Sequence, residues 1–60
     1  MKKYAVIYVI ESVGIVQTHE CYAFDKADAI EQWQTIFEPV IKQLRLLQVY
    51  KIADEVIIER

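Results

Sequence analysis

The sequence predicts a small α+β domain, in which one helix packs on a single-layer antiparallel sheet with the element order ββαββ. Three observations predict this class. Two runs of β-branched and aromatic residues flank the single glycine, a segment with helical spacing follows, and β-branched residues return near the end. The 60 residues allow one domain over residues 1–60. A ββα order with a second, C-terminal helix is the alternative.

The first predicted element is a β-hairpin over residues 4–24. Residues 3–10 are rich in the β-branched and aromatic side chains that suit a pleated strand. Residues 11–14 suit a type I turn followed by a glycine at positive φ, which is a three-residue hairpin loop with a bulge. Gly14 takes positive φ without the steric penalty of a Cβ atom.

This loop predicts the register of the hairpin and therefore its two faces. The expected opposite pairs are Glu11 with Ile15, Val9 with Gln17, Ile7 with His19, Ala5 with Cys21, and Tyr4 with Tyr22. Because side chains alternate along a strand, one face is expected to carry Ala5, Ile7, Val9, Gln17, His19, Cys21 and Ala23. The other is expected to carry Tyr4, Val6, Tyr8, Ile10, Val16, Thr18, Glu20, Tyr22 and Phe24. Neither face is polar, so the first strand needs cover on both sides.

A helix is expected to follow the hairpin. Asp25 is a favourable N-cap, and Asp28 places a second negative charge in the first turn, where the helix dipole favours it. The apolar positions then recur at spacings of three and four, which is typical of one helical stripe. These positions are Ile30, Trp33, Phe37, Val40, Ile41 and Leu44.

Pro39 interrupts this stripe and leaves two interpretations. The helix ends near Phe37 and a short second helix starts at Pro39, or one kinked helix runs over about residues 26–44. Pro39 lies on the polar side of the helical wheel, which favours the continuous, kinked helix. Trp33, in the middle of the stripe, is expected to be buried.

The last part of the chain reads as two short strands, residues 46–52 and 55–59, on either side of residues 53–54. The β-branched run in the second segment is the stronger strand signal. Residues 46–48 prolong the helix in the alternative interpretation.

Composition excludes several classes of function. The net charge of −2 gives no electrostatic footprint for nucleic acid. The longest apolar run is far shorter than the roughly 20 residues of a membrane span, and no cleavage site for a signal peptide follows it. One cysteine excludes a disulfide framework and suits a reducing, cytoplasmic location. We expect no cofactor and no metal.

His19 and Cys21 are the residues that a minimal enzyme would use. They lie two positions apart on a strand and therefore share a face, where a histidine can activate a thiol. Nothing in the sequence supplies the oriented base and the oxyanion site that a nucleophile also needs. A buried, unreactive thiol with His19 at its rim is the preferred interpretation.

The predicted functional surface is a sheet face. We expect the helix to cover the face of Ala5, Ile7, Val9, Cys21 and Ala23, where small residues leave room for Trp33 and Phe37. The opposite face is then exposed, and a contiguous apolar patch usually marks an interface. The expected interface residues are Tyr4, Val6, Tyr8, Ile10, Val16 and Tyr22. The high apolar content, 55%, also predicts a homodimer as added stabilisation for so small a chain.

These features predict a small non-enzymatic protein-binding or regulatory module that acts as a homodimer on another protein. The ββα opening and the cap sequence of residues 24–29 resemble small accessory proteins of phages and mobile elements, and that likeness implies an accessory role. A regulatory module that binds a small molecule and a minimal enzyme that uses Cys21 or His19 are the alternatives.

Overall fold

The computed structural model describes residues 1–54, which form three strands, one α-helix and one 3₁₀ helix. The elements are β1 (Lys2–Ile10), β2 (Ile15–Ala23), α1 (Lys26–Ile36), the 3₁₀ helix Glu38–Gln43 and β3 (Leu44–Ala53). The strands form one antiparallel sheet in the order β2-β1-β3. The predicted α+β class is confirmed. The strand predicted over residues 55–59, and the alternative of a C-terminal helix there, lie outside the described residues.

The hairpin loop contains four residues, and Gly14 adopts the predicted left-handed conformation. Its φ is 70°, and its N–H donates to the carbonyl of Ile10 at 2.7 Å. The N–H of Val13 donates to the same carbonyl at 3.2 Å. Ile10 then lies opposite Ile15. The predicted three-residue loop, which paired Glu11 with Ile15, is therefore wrong by one position.

Replacement of Gly14 tests this loop. Gly14→Val is expected to destabilise the fold by about 1–2 kcal/mol, because a β-branched side chain is strained at positive φ. Gly14→Asn is expected to cost much less, since asparagine tolerates this conformation. A Cβ at this position meets no atom within 4 Å, so no clash at Cβ adds to the backbone strain in either variant. Urea unfolding measures the loss of stability in each variant. Equal losses for valine and asparagine would contradict the assignment of positive φ to Gly14.

The shift of one residue changes which side chains share a face. Tyr4 lies opposite Cys21, Val6 opposite His19, and Tyr8 opposite Gln17. The predicted pairs of Ala5 with Cys21, Ile7 with His19 and Val9 with Gln17 are wrong, because a slip of one residue exchanges the faces of the second strand relative to the first.

The predicted N-terminus of α1 is confirmed. The Asp25 carboxylate accepts a hydrogen bond from the N–H of Asp28 at 2.8 Å, and the Asp28 carboxylate accepts one from the N–H of Phe24 at 3.0 Å. These two bonds satisfy N–H groups that would otherwise lack acceptors at the entrance to the helix. They also fix the direction in which the chain leaves β2.

The end of α1 corrects the favoured interpretation of Pro39. The α-helix stops at Ile36, and the N–H of Phe37 caps it by donating to the Trp33 carbonyl at 3.0 Å. Pro39 lies in the first turn of the separate 3₁₀ helix, where its missing N–H leaves no intrahelical hydrogen bond unmade. The continuous, kinked helix over about residues 26–44 is therefore wrong. Residues 46–48 belong to β3, so they do not prolong a helix.

One hydrophobic core lies between the sheet and α1. Tyr8 is at its centre, with its ring 5.5 Å from the Trp33 ring and 5.4 Å from the Phe37 ring. Trp33 is buried, as predicted. Several flanking residues are half-buried against this core, Leu44, Leu46 and Val49 among them. The buried members of the cluster are Tyr4, Val6, Tyr8, Cys21, Ala23, Ala29 and Trp33.

The helix therefore covers the tyrosine face of β1, and the prediction that it covers Ala5, Ile7 and Val9 is wrong. Cys21 and Ala23 of β2 lie on the covered side, as predicted. Large and small side chains do interdigitate, but the small ones come from other elements. The tyrosines of β1 lie among Cys21 and Ala23 of β2 and Ala29 of α1.

Candidate functional site: the sheet face opposite the helix

The side of the sheet opposite α1 is the candidate functional site, and we call it the outer face. Alternation along each strand and the pairing register define its members. Both helices contribute their core residues, such as Trp33 and Ile41, to the other side of the sheet. The apolar residues of the outer face are Ala5, Ile7, Val9, Val16, Tyr22 and Tyr50.

The outer face combines a shielded centre with an exposed apolar border. Ala5 and Val9, on the central strand, are almost inaccessible because side chains of the two neighbouring strands flank them. Val16 is 56% exposed, Tyr22 47% and Tyr50 42%. These three residues belong to the two outer strands and offer the surface that another molecule would contact.

The charged residues around this face are paired. Lys3 forms a salt bridge with Glu20 at 3.2 Å, and its ammonium lies 5.9 Å from the centre of the Tyr22 ring. Arg45, opposite Val9 in the sheet, forms a salt bridge with the loop residue Glu11 at 3.0 Å. Exposed pairs of this kind add little stability. Their effect is that the border carries no net charge in these two places.

The predicted interface residues are divided between the two sides of the sheet. Tyr4, Val6 and Tyr8 lie in the core, and Ile10 is half-buried against it. Val16 and Tyr22 lie on the outer face and are exposed.

Four outer-face residues are missing from the predicted set. Ala5, Ile7 and Val9 were assigned to the covered face, although the two-sided apolar pattern of β1 is a signal that includes them. Tyr50 lies on this face because it is opposite Ala5 in the antiparallel pairing of β1 and β3. The two residues are far apart in sequence, so no local pattern predicts the pair.

Cys21 and His19 share a face, as predicted, and Cys21 is buried on the side that α1 covers, which confirms the predicted buried thiol. Burial raises the pKa of the Cys21 thiol, and the nearby Asp28 carboxylate raises it further. The His19 ring packs edge-on against Phe37, with 5.7 Å between ring centres. Its buried Nε2 has no hydrogen-bond partner within residues 1–54. This environment favours a protonated thiol and provides no activated nucleophile.

The remaining surface offers little for a small ligand or a metal. Three shallow depressions run along the exposed side of α1. Glu31 lines all three, and neither Cys21 nor an apolar residue of the outer face lines any of them. In residues 1–54, no three histidine, cysteine or acidic side chains are grouped as metal ligands. No polar side chain of this part of the chain is buried as a whole residue.

Comparison with known proteins gives no relative from which a role can be transferred. No protein-family model, no curated protein and no solved structure gives a significant match to this chain. Among the described elements, no helix is both long enough and apolar enough to span a bilayer.

Proposed function

We propose that this chain is a small non-enzymatic protein-binding module, which works as a homodimer and binds another protein on its outer face. The observation that carries the proposal is an apolar sheet face that neither helix covers. Such a module suits an accessory or inhibitory role, because a flat sheet face can block or bridge a surface of its target without chemistry of its own.

The pattern of β1 supports this proposal. Val6 and Tyr8 point to the core, whereas Ile7 and Val9 point to the outer face. A strand in an antiparallel sheet with one wet side normally alternates between apolar and polar residues. The apolar residues on the second side of β1 therefore suit a sheet that is covered on both sides when it functions.

The surroundings of the face indicate the chemistry of the target. Lys3 and Arg45, which border the face, both lie in salt bridges with glutamates. Electrostatic steering therefore contributes little, and we expect the target to present branched aliphatic side chains with a few hydrogen-bonding groups. Tyr22 and Tyr50 suit such a surface, because tyrosine combines a large contact area with a hydroxyl group.

The other two functions have less support. A small-molecule site is usually an enclosed, mostly apolar pocket, whereas the depressions described above are shallow and lie on the polar side of α1. An enzyme that uses Cys21 needs an accessible thiolate, and burial opposes both requirements.

The test compares the proteins captured from a cell lysate by three forms of the chain. Tyr50→Glu places a charge on the outer face and is expected to abolish capture of the target. Gln34→Glu adds the same charge on the exposed side of α1 and is expected to leave capture unchanged. For each captured protein, quantitative mass spectrometry measures the ratio between the amount that a variant captures and the amount that the wild type captures.

A protein that the wild type and Gln34→Glu capture equally, and that Tyr50→Glu loses at least tenfold, supports the proposal. Captured proteins that are indifferent to Tyr50→Glu, or that Gln34→Glu loses, would exclude the outer face as the binding surface. Circular dichroism of each variant verifies that the fold is retained.

A further inference from the structure

The outer edge of β2 has few of the features that usually protect a strand edge. β2 is at the edge of the sheet, with β1 as its single neighbour among the described strands. Its nine residues include no proline, lysine or arginine, its charged residue Glu20 is paired with Lys3, and its register with β1 continues without a bulge. Natural edge strands are commonly protected by such residues or by bulges. An edge of this length and regularity is a template for another strand.

One side-chain hydrogen bond identifies the backbone groups that face outwards. The amide of Gln32 donates to the carbonyl of Tyr22 at 2.9 Å, so this carbonyl points away from β1. The N–H and C=O groups of one residue point the same way in an antiparallel strand, and the direction alternates from residue to residue. The groups of Val16, Thr18 and Glu20 therefore also point outwards.

We propose that β2 of a second copy pairs with this edge, antiparallel, about a two-fold axis at Thr18. Each copy brings three strands, so the dimer has one continuous sheet of about six strands. This dimer specifies the homodimer of the proposed function and in that respect rests on it. Binding of a target on the outer face is a separate statement.

The choice of register follows from the side chains and from the Gln32 cap. A two-fold axis at Thr18 matches Val16 of each copy with Glu20 of the other. In this register, the outward N–H and C=O groups of Val16, Thr18 and Glu20 in both copies form about six hydrogen bonds. It also places Thr18 directly opposite Thr18, which is a favourable cross-strand pair.

Neighbouring registers are less suitable. An axis at His19 or Glu20 would require the Tyr22 carbonyl, which already accepts from Gln32. The axis at Glu20 would also bring two carboxylates directly opposite each other, which is destabilising. An axis at Gln17 would match Glu20 with Gly14, a residue of the hairpin loop whose N–H already donates to Ile10.

The proposed pairing has a consequence for the binding surface. A two-fold axis perpendicular to the sheet keeps both helices on one side and both outer faces on the other. Val16 and Tyr22, at the β2 side of each outer face, then lie near the middle of a joint surface. The dimer offers a target about twice the apolar area that one copy offers.

Sedimentation velocity with Thr18→Pro tests the pairing. Proline removes the outward N–H of Thr18 and leaves the ladder between β1 and β2 unbroken, since proline is tolerated on the free side of an edge strand. We expect the wild type to sediment as a dimer and Thr18→Pro as a folded monomer. Thr18→Val keeps both the N–H and the shape, and is expected to remain a dimer.

Disulfide trapping tests the register and does not depend on the proline variant. In the proposed dimer, the two Thr18 Cα atoms are about 5.5 Å apart, within the range that a disulfide bridges. Thr18→Cys is therefore expected to crosslink under mild oxidation. Glu20→Cys is the matched control, because its two copies lie about 13 Å apart along the strands and are expected to stay uncrosslinked.

The edge pairing would be overturned by a monomeric wild type at high micromolar concentration, by a dimer that Thr18→Pro leaves intact, or by equal crosslinking of the two cysteine variants. A dimer that Tyr50→Glu dissociates would place the second copy on the outer face instead. Loss of target capture by Tyr50→Glu with the dimer preserved keeps both proposals, so the failure of one is distinguishable from the failure of the other.

Discussion

Replacing Tyr8 by glutamate is expected to unfold the chain. Tyr8 is 8% exposed and its ring contacts those of Trp33 and Phe37, so the new carboxylate would lie in the core without a cationic partner. A buried and unpaired charge costs several kcal/mol, while a folded domain is stabilised by only about 0.05–0.15 kcal/mol per residue. Circular dichroism and the dispersion of the amide signals in the NMR spectrum measure the loss of folded structure.

The control for this experiment is Tyr50→Glu. Tyr50 is 42% exposed on the outer face, so the same substitution there leaves the carboxylate in contact with water and is expected to preserve the fold. The pair of variants reports which side of the sheet α1 covers. A folded Tyr8→Glu together with an unfolded Tyr50→Glu would mean that the helix lies on the opposite face.

Trp33→Ala is expected to lower the free energy of unfolding by about 3–5 kcal/mol, because it removes the largest side chain of a tightly packed core. Trp33 is 3% exposed and lies against Tyr8 and Phe37. A loss of this size is a large part of the stability of a domain this small. Urea unfolding followed by circular dichroism measures it, since Trp33 is the single tryptophan and fluorescence is lost with it.

Trp33→Phe is the matched variant and is expected to cost much less. The indole Nε1 is buried and has no hydrogen-bond partner in the described part of the chain, so phenylalanine keeps an aromatic ring and removes an unsatisfied donor. Similar losses for alanine and phenylalanine would contradict this expectation and show that the position requires the whole indole. In the wild type, tryptophan emission is expected to be blue-shifted and to move to longer wavelength on unfolding.

The local features of this fold were predictable because their causes lie within a few residues. Asp25 and Asp28 cap the helix with their own side chains, and Gly14 alone takes positive φ without strain. The helical spacing of the apolar residues around Trp33 correctly predicts that its side chain is buried. Each of these predictions depends on interactions between near neighbours in sequence.

The pairing of strands was not predictable in the same way. A three-residue loop and a four-residue loop both end in a glycine at positive φ, and they differ by one position in register. Polar alternation usually selects the register, but β1 is apolar on both sides and selects none. The register error groups Val16 and Tyr22 with the tyrosines of β1, and the expectation that small residues leave room for Trp33 and Phe37 places that whole group outwards. Of the predicted interface residues, only Val16 and Tyr22 lie on the outer face.

The break at Pro39 shows a different limit. The helical wheel places Pro39 on the wet side of a continuous helix, and that geometry alone permits a kink. The chain instead turns after Phe37 through a 3₁₀ helix, which delivers Leu44 to the edge of β1 opposite Ile10. The pairing of β3 with β1 is a contact between residues distant in sequence, so the local pattern around Pro39 does not predict it.

The central position of β1 also sets an order of events in folding. β1 precedes both of its neighbours in sequence, and β2 follows it after a loop of four residues, whereas β3 follows only after α1 and the 3₁₀ helix. Closing the longer loop costs more chain entropy, so we expect the hairpin to form early and β3 to dock late. Substitutions in the hairpin loop are then expected to slow folding, and substitutions in β3 to speed unfolding. Until β3 docks, a newly made chain exposes the second edge of its most apolar strand, and misassembly competes with folding in that interval.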